Sequence, residues 1–526
     1  MKRRHFLKYS AAGVVIPSFI NGFQLKAMAS SPMLQALQQT MTQTDRVLVM
    51  IQLGGGNDGL NTVIPLDQYD NLTIVRPQVV LPENELLSLS GNDAVGLHPA
   101  MTGLQQLYNN EKLKIIQAVG YPNQNYSHFR STDIWMSGSD EDEYLLSGWA
   151  GRYLNGEYPN FPYDYPNESM TDPLAIEIGY SQSFVFQGPL TTMAVTLSNA
   201  DSFYNLVNGI NDPVPNTPAG EQLEYVRLIS KQSNAYGEVM INAFNSTVNM
   251  VTYPDNNELA QQLKIVARMI AGGLKTRIYL VHIDGFDTHD SQVDYNDHTV
   301  GEHANLLRNL SEAISVFQSD IEALSLDDKV IGMTFSEFGR RTISNVSGGT
   351  DHGAAAPMFM FGTSIAGGVL GENPFIPADA TEDTNVAMQH DFRSVYATIL
   401  KEWFCIAENE LSQTLFQSYD DLPLFNNIDC ISTGIHHSNQ HAGTALLTVL
   451  PNPVLNEATI EITSLGGLLH LALYDVSGRY LQSIFNANIA IGNHRITHDF
   501  SNLNAGLYYL HYQQGATKQV IKIIKA

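Results

Sequence analysis

Short apolar runs alternate with longer amphipathic stretches along most of the chain. Runs rich in β-branched residues predict strands, and apolar residues three or four apart, such as Leu259, Leu263 and Val266, predict helices. The predicted strands are Arg46 to Leu53, Lys112 to Gly120, Arg277 to Ile283 and Lys329 to Phe335, and the predicted helices are Glu221 to Asn245, Asn257 to Gly273, Glu302 to Ala323 and Phe392 to Cys405. This alternation is typical of an α/β fold, in which helices flank a central sheet. We therefore predict one large α/β domain over residues 30–430.

One stretch of that domain departs from the alternation. Residues 155–218 are rich in Tyr, Asn and Pro and show no long period. We expect an irregular insertion or cap beside the main sheet.

The pattern of apolar and polar residues changes again after residue 430. Residues 431–445 are small and polar, so we predict a linker, and we interpret its three histidines as solvated linker residues rather than metal ligands. From residue 446 onward, short alternating runs are separated by turn clusters, which is typical of a small β-sandwich over 446–526. The strands predicted there are Ala458 to Thr463, Leu468 to Tyr474, Leu507 to Tyr512 and Gln519 to Ile524.

The N-terminus has the pattern of a cleavable signal peptide over residues 1–29. Arg3 and Arg4 precede a short apolar stretch, and Ala27-Met28-Ala29 offers a small-residue cleavage site. The paired arginines followed by Phe6-Leu7-Lys8 resemble a twin-arginine signal, whose route exports folded proteins. The alternative is an ordinary secretory signal with two chance arginines.

Charge and cysteine content narrow the function classes. The 526 residues carry 28 Lys and Arg against 53 Asp and Glu, a formal charge of −25, which repels nucleic acid and anionic lipid. No apolar run approaches the roughly 20 residues of a membrane-spanning helix, so we expect no transmembrane segment in the mature protein. The two cysteines, Cys405 and Cys430, leave two alternatives open: a disulfide formed after export, or two unpaired buried thiols.

Clusters of polar residues follow each predicted strand of the α/β domain. In open α/β sheets, catalytic and ligand-binding groups collect at the carboxyl ends of strands, so we expect these side chains to meet in one cleft. Mixed Asp, Glu and His side chains without Cys suit Zn²⁺ or Mn²⁺, or Ca²⁺ and Mg²⁺ where carboxylates dominate. The candidates are Asp58, Ser127, Asp287, His289, Glu337, Arg340, Arg341 and His352.

Two parts of the chain resemble known families. The body resembles the exported bacterial "domain of unknown function 1501" family through Gly54-Gly55-Gly56-Asn57-Asp58-Gly59, Ser127-His128-Phe129, Gly285-Phe286-Asp287-Thr288-His289, Ser336-Glu337-Phe338-Gly339-Arg340-Arg341 and Gly349-Thr350-Asp351-His352-Gly353. That family is distantly similar to the alkaline phosphatase and sulfatase superfamily. The last 80 or so residues resemble the C-terminal sorting domain of type IX secretion through Pro451-Asn452-Pro453, Leu473-Tyr474-Asp475-Val476-Ser477-Gly478-Arg479 and Leu503-Asn504-Ala505-Gly506-Leu507-Tyr508. The alternative for this module is a carbohydrate-binding or adhesive role.

The first resemblance implies roles for the candidate residues. Metal would be held by a set of five residues, Ser127 would be the nucleophile, and Arg340 or Arg341 would hold the anionic oxygens of the substrate. The five implied metal ligands are Asp58, Asp287, His289, Glu337 and His352. The superfamily has an adjacent Asp-His pair where this chain has Glu337-Phe338, so either Glu337 and His352 replace that pair or one metal site is missing.

Structural alternatives stand beside these roles. Ser127 is also a suitable N-cap for a helix starting near Phe129. Arg340 and Arg341 are also suitable ion-pair partners for the protein's own carboxylates.

Two hypotheses of different class follow for the whole protein. The first is an exported metal-dependent hydrolase-like protein that acts on a phosphate or sulfate ester of a small molecule or glycan. The second is a non-catalytic cell-surface binding protein that keeps the fold and contacts a glycan or a partner through its Tyr- and Asn-rich insertion. Under both we expect the export machinery as a partner, passage through the periplasm, and placement at the cell surface or outside the cell.

Overall fold

The chain divides into two compact units. The computed structural model describes residues 19–20, 23–24, 45–179, 182–197, 235–426, 428, 430, 447–450, 454–464, 466–475, 480–504, 506–514 and 517–525. One unit, here called the body, is Thr44–Ile431, and the other comprises Met1–Gln43 and Ser432–Ala526. The predicted linker, and most of the predicted signal peptide, lie outside the described residues.

The body is built on a nine-stranded sheet. Its strand order is β13-β7-β12-β11-β3-β10-β8-β9, with the short β14 also paired to β7. A separate three-stranded sheet of the body has the order β4-β6-β5, whereas β1 and β2 pair with each other and belong to the other unit. The strands are β1 (Phe19–Ile20), β2 (Phe23–Gln24), β3 (Val47–Gly54), β4 (Val63–Pro65), β5 (Leu87–Leu89), β6 (Asn92–Leu97), β7 (Leu113–Gly120), β8 (Ala175–Ile178), β9 (Ala194–Leu197), β10 (Ile278–Asp284), β11 (Val330–Phe335), β12 (Ala356–Phe361), β13 (Gly368–Leu370) and β14 (His390–Asp391).

The direction of the strands determines at which edge of the sheet the polar residues that follow them lie. Every neighbouring pair in the main sheet is parallel except the two pairs that β12 makes. The four strands predicted from sequence, now β3, β7, β10 and β11, are buried apolar runs and lie within one or two residues of their predicted bounds. Because they all run in one direction, their carboxyl ends lie along one edge of the sheet.

Helices cover the sheet. The predicted helices 257–273 and 302–323 are confirmed, and Asn257 caps the first by accepting a hydrogen bond from the backbone N–H of Ala260. Of the predicted helix 221–245, only its last part lies within the described residues and is helical. The helices are α1 (Tyr69–Val75), α2 (Thr102–Asn109), α3 (His128–Ser137), α4 (Trp149–Glu157), α5 (235–246), α6 (Glu258–Ala271), α7 (Glu302–Ala323), α8 (Phe392–Thr398, continued by a π-helical turn over Ile399–Trp403) and α9 (Glu408–Leu415).

The segment expected to be an irregular insertion is partly regular. Its described residues add β8 and β9 to the edge of the main sheet, both parallel to β10, and a 3-10 turn covers Phe184–Phe186. Each of these strands has only four residues, too short for a periodic pattern in sequence. Residues 198–218 of the predicted insertion lie outside the described residues.

The two cysteines are joined. Cys405 and Cys430 form a disulfide with a Cα–Cα distance of 5.3 Å, which decides between the two alternatives left open by the sequence. The bridge ties the segment that follows the π-helical turn to the end of the body.

The described residues from Leu447 onward, here called the C-terminal unit, form two antiparallel sheets, with strand orders β15-β16-β19 and β18-β17-β20-β21. Apolar side chains of both sheets, including Ile460, Leu471 and Leu510, form one buried cluster, as predicted for a small sandwich. Three strands of this unit were not predicted: β15, which has four residues, and β18 and β19, whose side chains are exposed or only partly buried and include His, Asn and Arg. The strands are β15 (Leu447–Leu450), β16 (Glu457–Ser464), β17 (Gly467–Asp475), β18 (Tyr480–Ile489), β19 (Gly492–Asp499), β20 (Gly506–Gln514) and β21 (Thr517–Lys525).

Within the part of the chain that the structure describes, no helix is both long enough and apolar enough to span a bilayer.

Because the body and the C-terminal unit each have a hydrophobic cluster of their own, we predict that the body folds alone. A truncated chain of residues 30–440 should express in soluble form and unfold in one cooperative transition, measured by circular dichroism on heating. Aggregation of the truncated chain under conditions where the full-length protein is soluble would contradict this boundary.

Candidate metal centre

Four side chains converge where the loops after β7, β10 and β11 meet. They are His128, the first residue of α3, Asp287 and His289 in the loop after β10, and His352 in the loop between β11 and β12. Their nearest nitrogen and oxygen atoms lie about 3 Å apart, and together they are called the Asp287 centre below. The distances from the carboxylate of Asp287 are 3.3 Å to His128 Nε2, 3.2 Å to His289 Nε2 and 3.1 Å to His352 Nε2.

The other ring nitrogen of each imidazole is held by an acceptor outside the centre. Each Nδ1 lies 2.8 Å from an oxygen: Glu337 Oε1 for His128, Asp351 Oδ1 for His289 and the carbonyl oxygen of Tyr126 for His352. Carboxylate and carbonyl oxygens accept, so in the neutral imidazoles the proton resides on Nδ1 and the lone pair on Nε2. All three lone pairs then point into the centre, which is the arrangement found in histidines that bind metal.

The spacing and charge of the centre suit a divalent cation. Nε2 of His289 and Nε2 of His352 are only 2.9 Å apart, and two lone pairs at that separation repel unless a proton or a cation lies between them. Ligand atoms of a tetrahedral zinc ion with bonds near 2.0–2.1 Å are about 3.3–3.4 Å from one another, close to the 3.1–3.3 Å between the Asp287 carboxylate and each imidazole. Three of the residues, His128, Asp287 and His352, have ligand atoms that all lie within 4.8 Å of one another. The contacting charged groups are Asp287, Glu337, Asp351 and Arg340, a formal charge of minus two when the imidazoles are neutral.

Electrostatics keep the carboxylates ionised. Burial alone would raise the pKa of Asp287, but the hydrogen bond and the positive charge of Arg340 lower this pKa to about 2. Burial would likewise raise the pKa of Asp351, yet hydrogen bonds from His289 and Asn345 lower it. Burial lowers the pKa of His352, which favours the neutral imidazole that a metal requires.

Arg340 is a structural clamp on this centre. Its guanidinium is buried and donates to the carbonyl oxygens of Gly55, Gly56, Phe286 and Thr350 and to Oδ1 of Asp287. The family resemblance implied that Arg340 could hold the anionic oxygens of a substrate. These bonds use the N–H donors of Arg340, so it is not placed for that role. The alternative of pairing with the protein's own carboxylate describes it better.

The glycine run after β3 allows the loops to approach closely. A Cβ atom on Gly55 would lie 2.3 Å from the backbone nitrogen of Asp287, and one on Gly56 would lie 2.3 Å from the ring of Phe338. Both glycines also have positive φ angles of 120° and 81°. The run therefore brings β3 against the loops that carry Asp287 and Phe338.

Asp58, expected as a metal ligand, is occupied elsewhere. Its carboxylate is 1% exposed, pairs with the buried guanidinium of Arg76 and accepts a 2.6 Å hydrogen bond from Gln292 Nε2. Burial lowers the pKa of Arg76, and the charge of Asp58 opposes that change. Asp58 follows β3 as predicted, and both of these contacts are made by its Oδ2. Its role as a metal ligand stays a prediction.

Glu337 also has a role different from the one expected. It is 4% exposed, and its Oε1 accepts a 2.9 Å hydrogen bond from the backbone N–H of Gly55 in addition to the bond with His128. Glu337 is thus positioned to orient His128, one bond away from the centre.

Ser127 lies at the N-cap position of α3, where the structural alternative placed it. Its side chain is exposed, makes no capping bond, and has no hydrogen-bond partner among the described residues. A serine nucleophile needs a base or a metal within reach. Ser127 therefore has no hydrogen-bonded base among the described residues to support its expected role as the nucleophile.

Arg341 lies on the rim of the centre. Its guanidinium stacks over the ring of Tyr126 at 4.8 Å and donates one hydrogen bond to the carbonyl oxygen of Asp383. It is only half-buried, so it keeps more capacity to bind an anion than Arg340 does.

His128 belongs to the Ser127-His128-Phe129 motif, but it was not predicted as a metal ligand. It lies in the segment after β7, next to Ser127. Its residue type was the available signal, because histidine is the commonest metal ligand. Asp287, His289 and His352 lie together, as expected for residues that follow parallel strands.

Comparisons with known proteins agree with both sequence resemblances. Residues 205–411 match the family model described as "Protein of unknown function (DUF1501)", and residues 448–526 match the model described as "Secretion system C-terminal sorting domain". The second match shows an exported protein with surface or extracellular placement. A comparison with curated proteins found no match.

Three solved structures illustrate the fold-level similarity. A PsFucS1 sulfatase from Pseudoalteromonas sp. is 10% identical with a TM-score of 0.32, over 90% of this chain and 87% of that chain. A protein in the alkaline phosphatase superfamily from Vibrio parahaemolyticus is 9% identical with a TM-score of 0.31, over 72% of each chain. Alkaline phosphatase from the Antarctic bacterium TAB5 is 10% identical with a TM-score of 0.25, over 61% of this chain and 92% of that chain. At these values the similarity assigns no residue a role.

We predict that Asp58→Asn destabilises the protein without removing metal. The substitution leaves the buried Arg76 without a counter-charge, which costs about 3–5 kcal/mol. Urea unfolding would measure the free energy of unfolding, and elemental analysis would measure metal content. Loss of metal with unchanged stability would instead identify Asp58 as a ligand.

Proposed function

We propose that this exported protein is a metal-dependent hydrolase-like protein that acts on a phosphate or sulfate ester, with the Asp287 centre as its metal site. The observation that carries the proposal is the orientation of three imidazoles, each with Nδ1 held from outside and Nε2 directed at one carboxylate. A purely structural cluster has no need of three facing lone pairs, whereas a cation does.

The donor set favours particular ions. Three nitrogen donors and one carboxylate suit Zn²⁺ or Mn²⁺ better than Ca²⁺ or Mg²⁺, which prefer oxygen donors throughout. The residues that would hold the ion are His128, His289, His352 and Asp287. When bound, such an ion supplies a Lewis acid that polarises the ester and lowers the pKa of a coordinated water.

The protein's own groups would set the geometry and charge of the site. Glu337, Asp351 and the carbonyl of Tyr126 fix the three rings, and Arg340 keeps Asp287 ionised and in place. Asp287 and His289 are each nearly half exposed, so an ester has access from solvent. Arg341, on the rim, is the guanidinium available to pair with the anionic oxygens of the ester.

We further propose that water, rather than Ser127, attacks the ester. The Ser127 hydroxyl has no hydrogen-bond partner among the described residues to take its proton, and a serine hydroxyl is a poor nucleophile without such a base. Hydrolysis would release the alcohol and inorganic phosphate or sulfate, and the alcohol is that of a small molecule or a glycan.

We predict that His128→Ala and Asp287→Asn each lose both the bound ion and ester turnover. Since loss of even an outer partner of a metal ligand costs about 10- to 100-fold, loss of a ligand should reduce turnover by more than about 100-fold. The measurements are metal content by elemental analysis and release of p-nitrophenol from p-nitrophenyl phosphate and p-nitrophenyl sulfate.

Two variants serve as controls for that experiment. His494→Ala, on β19 of the C-terminal unit, should keep metal and turnover, and Ser127→Ala should keep both if water is the nucleophile. Loss of turnover with retained metal in Ser127→Ala would assign the attack to the serine. A wild-type protein that holds no divalent ion and hydrolyses neither ester would favour the non-catalytic binding protein.

We predict that Asp351→Asn weakens metal affinity by about 10- to 100-fold, because His289 loses the carboxylate that orients its ring. Chelator competition at constant pH measures the change. Asp290→Asn is a matched control, since Asp290 is exposed, adjacent to His289 and without a hydrogen bond to it. Equal weakening by both substitutions would show that only net charge matters and would contradict the proposed orienting bond.

A further inference from the structure

A second cleft lies at the carboxyl end of β10, on the side of β8 and α6. Its volume is about 680 Å³, within the range of small-molecule sites. Its lining includes Gln52, Phe184, Glu258, His282, Asp284 and Asn309, and the cleft is called the His282 groove. It shares no lining residue with the Asp287 centre.

A buried carboxylate orients His282 in this groove. Glu177 is fully buried and accepts hydrogen bonds from the backbone N–H and the hydroxyl of Ser183 and from Nε2 of His282, the last at 2.9 Å. With Nε2 as donor, neutral His282 carries its lone pair on Nδ1, which has no partner among the described residues. Burying a carboxylate costs free energy. Here the buried Glu177 fixes the ring of His282, so that its Nδ1 is a hydrogen-bond acceptor held in place in the groove.

Two amide side chains in the groove are also without partners. Neither the Gln52 nor the Asn309 side chain has a hydrogen-bond partner among the described residues, although both are only partly exposed. A primary amide offers two donors and a carbonyl acceptor. Together with His282, these amides present donors and acceptors side by side.

The charge of the groove excludes anions. Its described lining contains the carboxylates of Glu258 and Asp284 and neither Lys nor Arg. Phosphate, sulfate or carboxylate groups would therefore be repelled here, in contrast to the rim of the Asp287 centre with Arg341. Phe184 and Leu306 add apolar surface to the same lining.

We propose that the His282 groove is a binding site for a neutral saccharide. Hydroxyl groups both donate and accept, so they match the mixture of amides, imidazole acceptor and carboxylates, and the C–H faces of a sugar ring pack against apolar side chains. The site is independent of metal, because none of its described lining residues belongs to the Asp287 centre.

The test is binding of full-length protein to an array of neutral oligosaccharides of glucose, galactose, mannose and xylose and their sulfated counterparts, followed by calorimetry on the neutral probe bound. Gln52→Leu and Asn309→Leu should each weaken binding by about tenfold or more, since each loses a hydrogen bond to the ligand. Neither amide has an internal partner, so both variants should keep the wild-type unfolding temperature.

The matched control is Asn305→Leu. Asn305 lies one turn before Asn309 on α7, is exposed and does not line the groove. It should bind like wild type, and removal of metal with a chelator should leave binding unchanged. Three outcomes would overturn the proposal: no neutral oligosaccharide is bound, Asn309→Leu and Asn305→Leu behave alike, or chelation abolishes binding. A protein without ester turnover that still binds a neutral probe through Asn309 would refute only the proposed hydrolase function.

Discussion

The buried guanidinium of Arg340 holds three loops of the body together. It donates to carbonyl oxygens after β3 and after β10, to Thr350 in the loop that leads to His352, and to the carboxylate of Asp287. A planar group with five donors satisfies several backbone carbonyls at once, which Lys cannot do. The positions of Asp287, His289 and His352 therefore depend on one charged side chain that itself touches little solvent.

Two carboxylates after neighbouring strands show what separates a structural acid from a candidate ligand. Asp58 is 1% exposed and bonded to Arg76 and Gln292, whereas the side chain of Asp287 is 46% exposed and surrounded by imidazoles. Both have a guanidinium partner, so pairing alone does not distinguish them. What differs is that Asp287 keeps an open side lined by imidazole nitrogens, whereas Asp58 is enclosed.

The carboxyl end of β10 contributes to two separate sites, the His282 groove and the Asp287 centre. His282 and Asp284 line a groove without basic residues, while the loop that begins after Asp284 carries Asp287 and His289 to the candidate metal centre. On Gly54 a Cβ atom would meet Asp284, and on Gly55 it would meet Asp287, so the end of β3 lies against both. In the proposals made above, the groove takes a neutral saccharide and the centre takes an anionic ester.

The sequence by itself determined the class of fold, the main parallel strands and the small C-terminal sandwich, because apolar periodicity records which faces are buried. It also brought Asp287, His289 and His352 to one edge, since parallel strands end on the same side. Short strands such as β8 and β9 carry too few residues for a period and were visible only in the sheet. Only the tertiary structure decided that Asp58 pairs with Arg76, that Glu337 contacts His128, and that Arg340 donates to backbone carbonyls. Each of those outcomes depends on which partner lies within about 3 Å, and residues far apart in sequence acquire that distance only when the chain is packed.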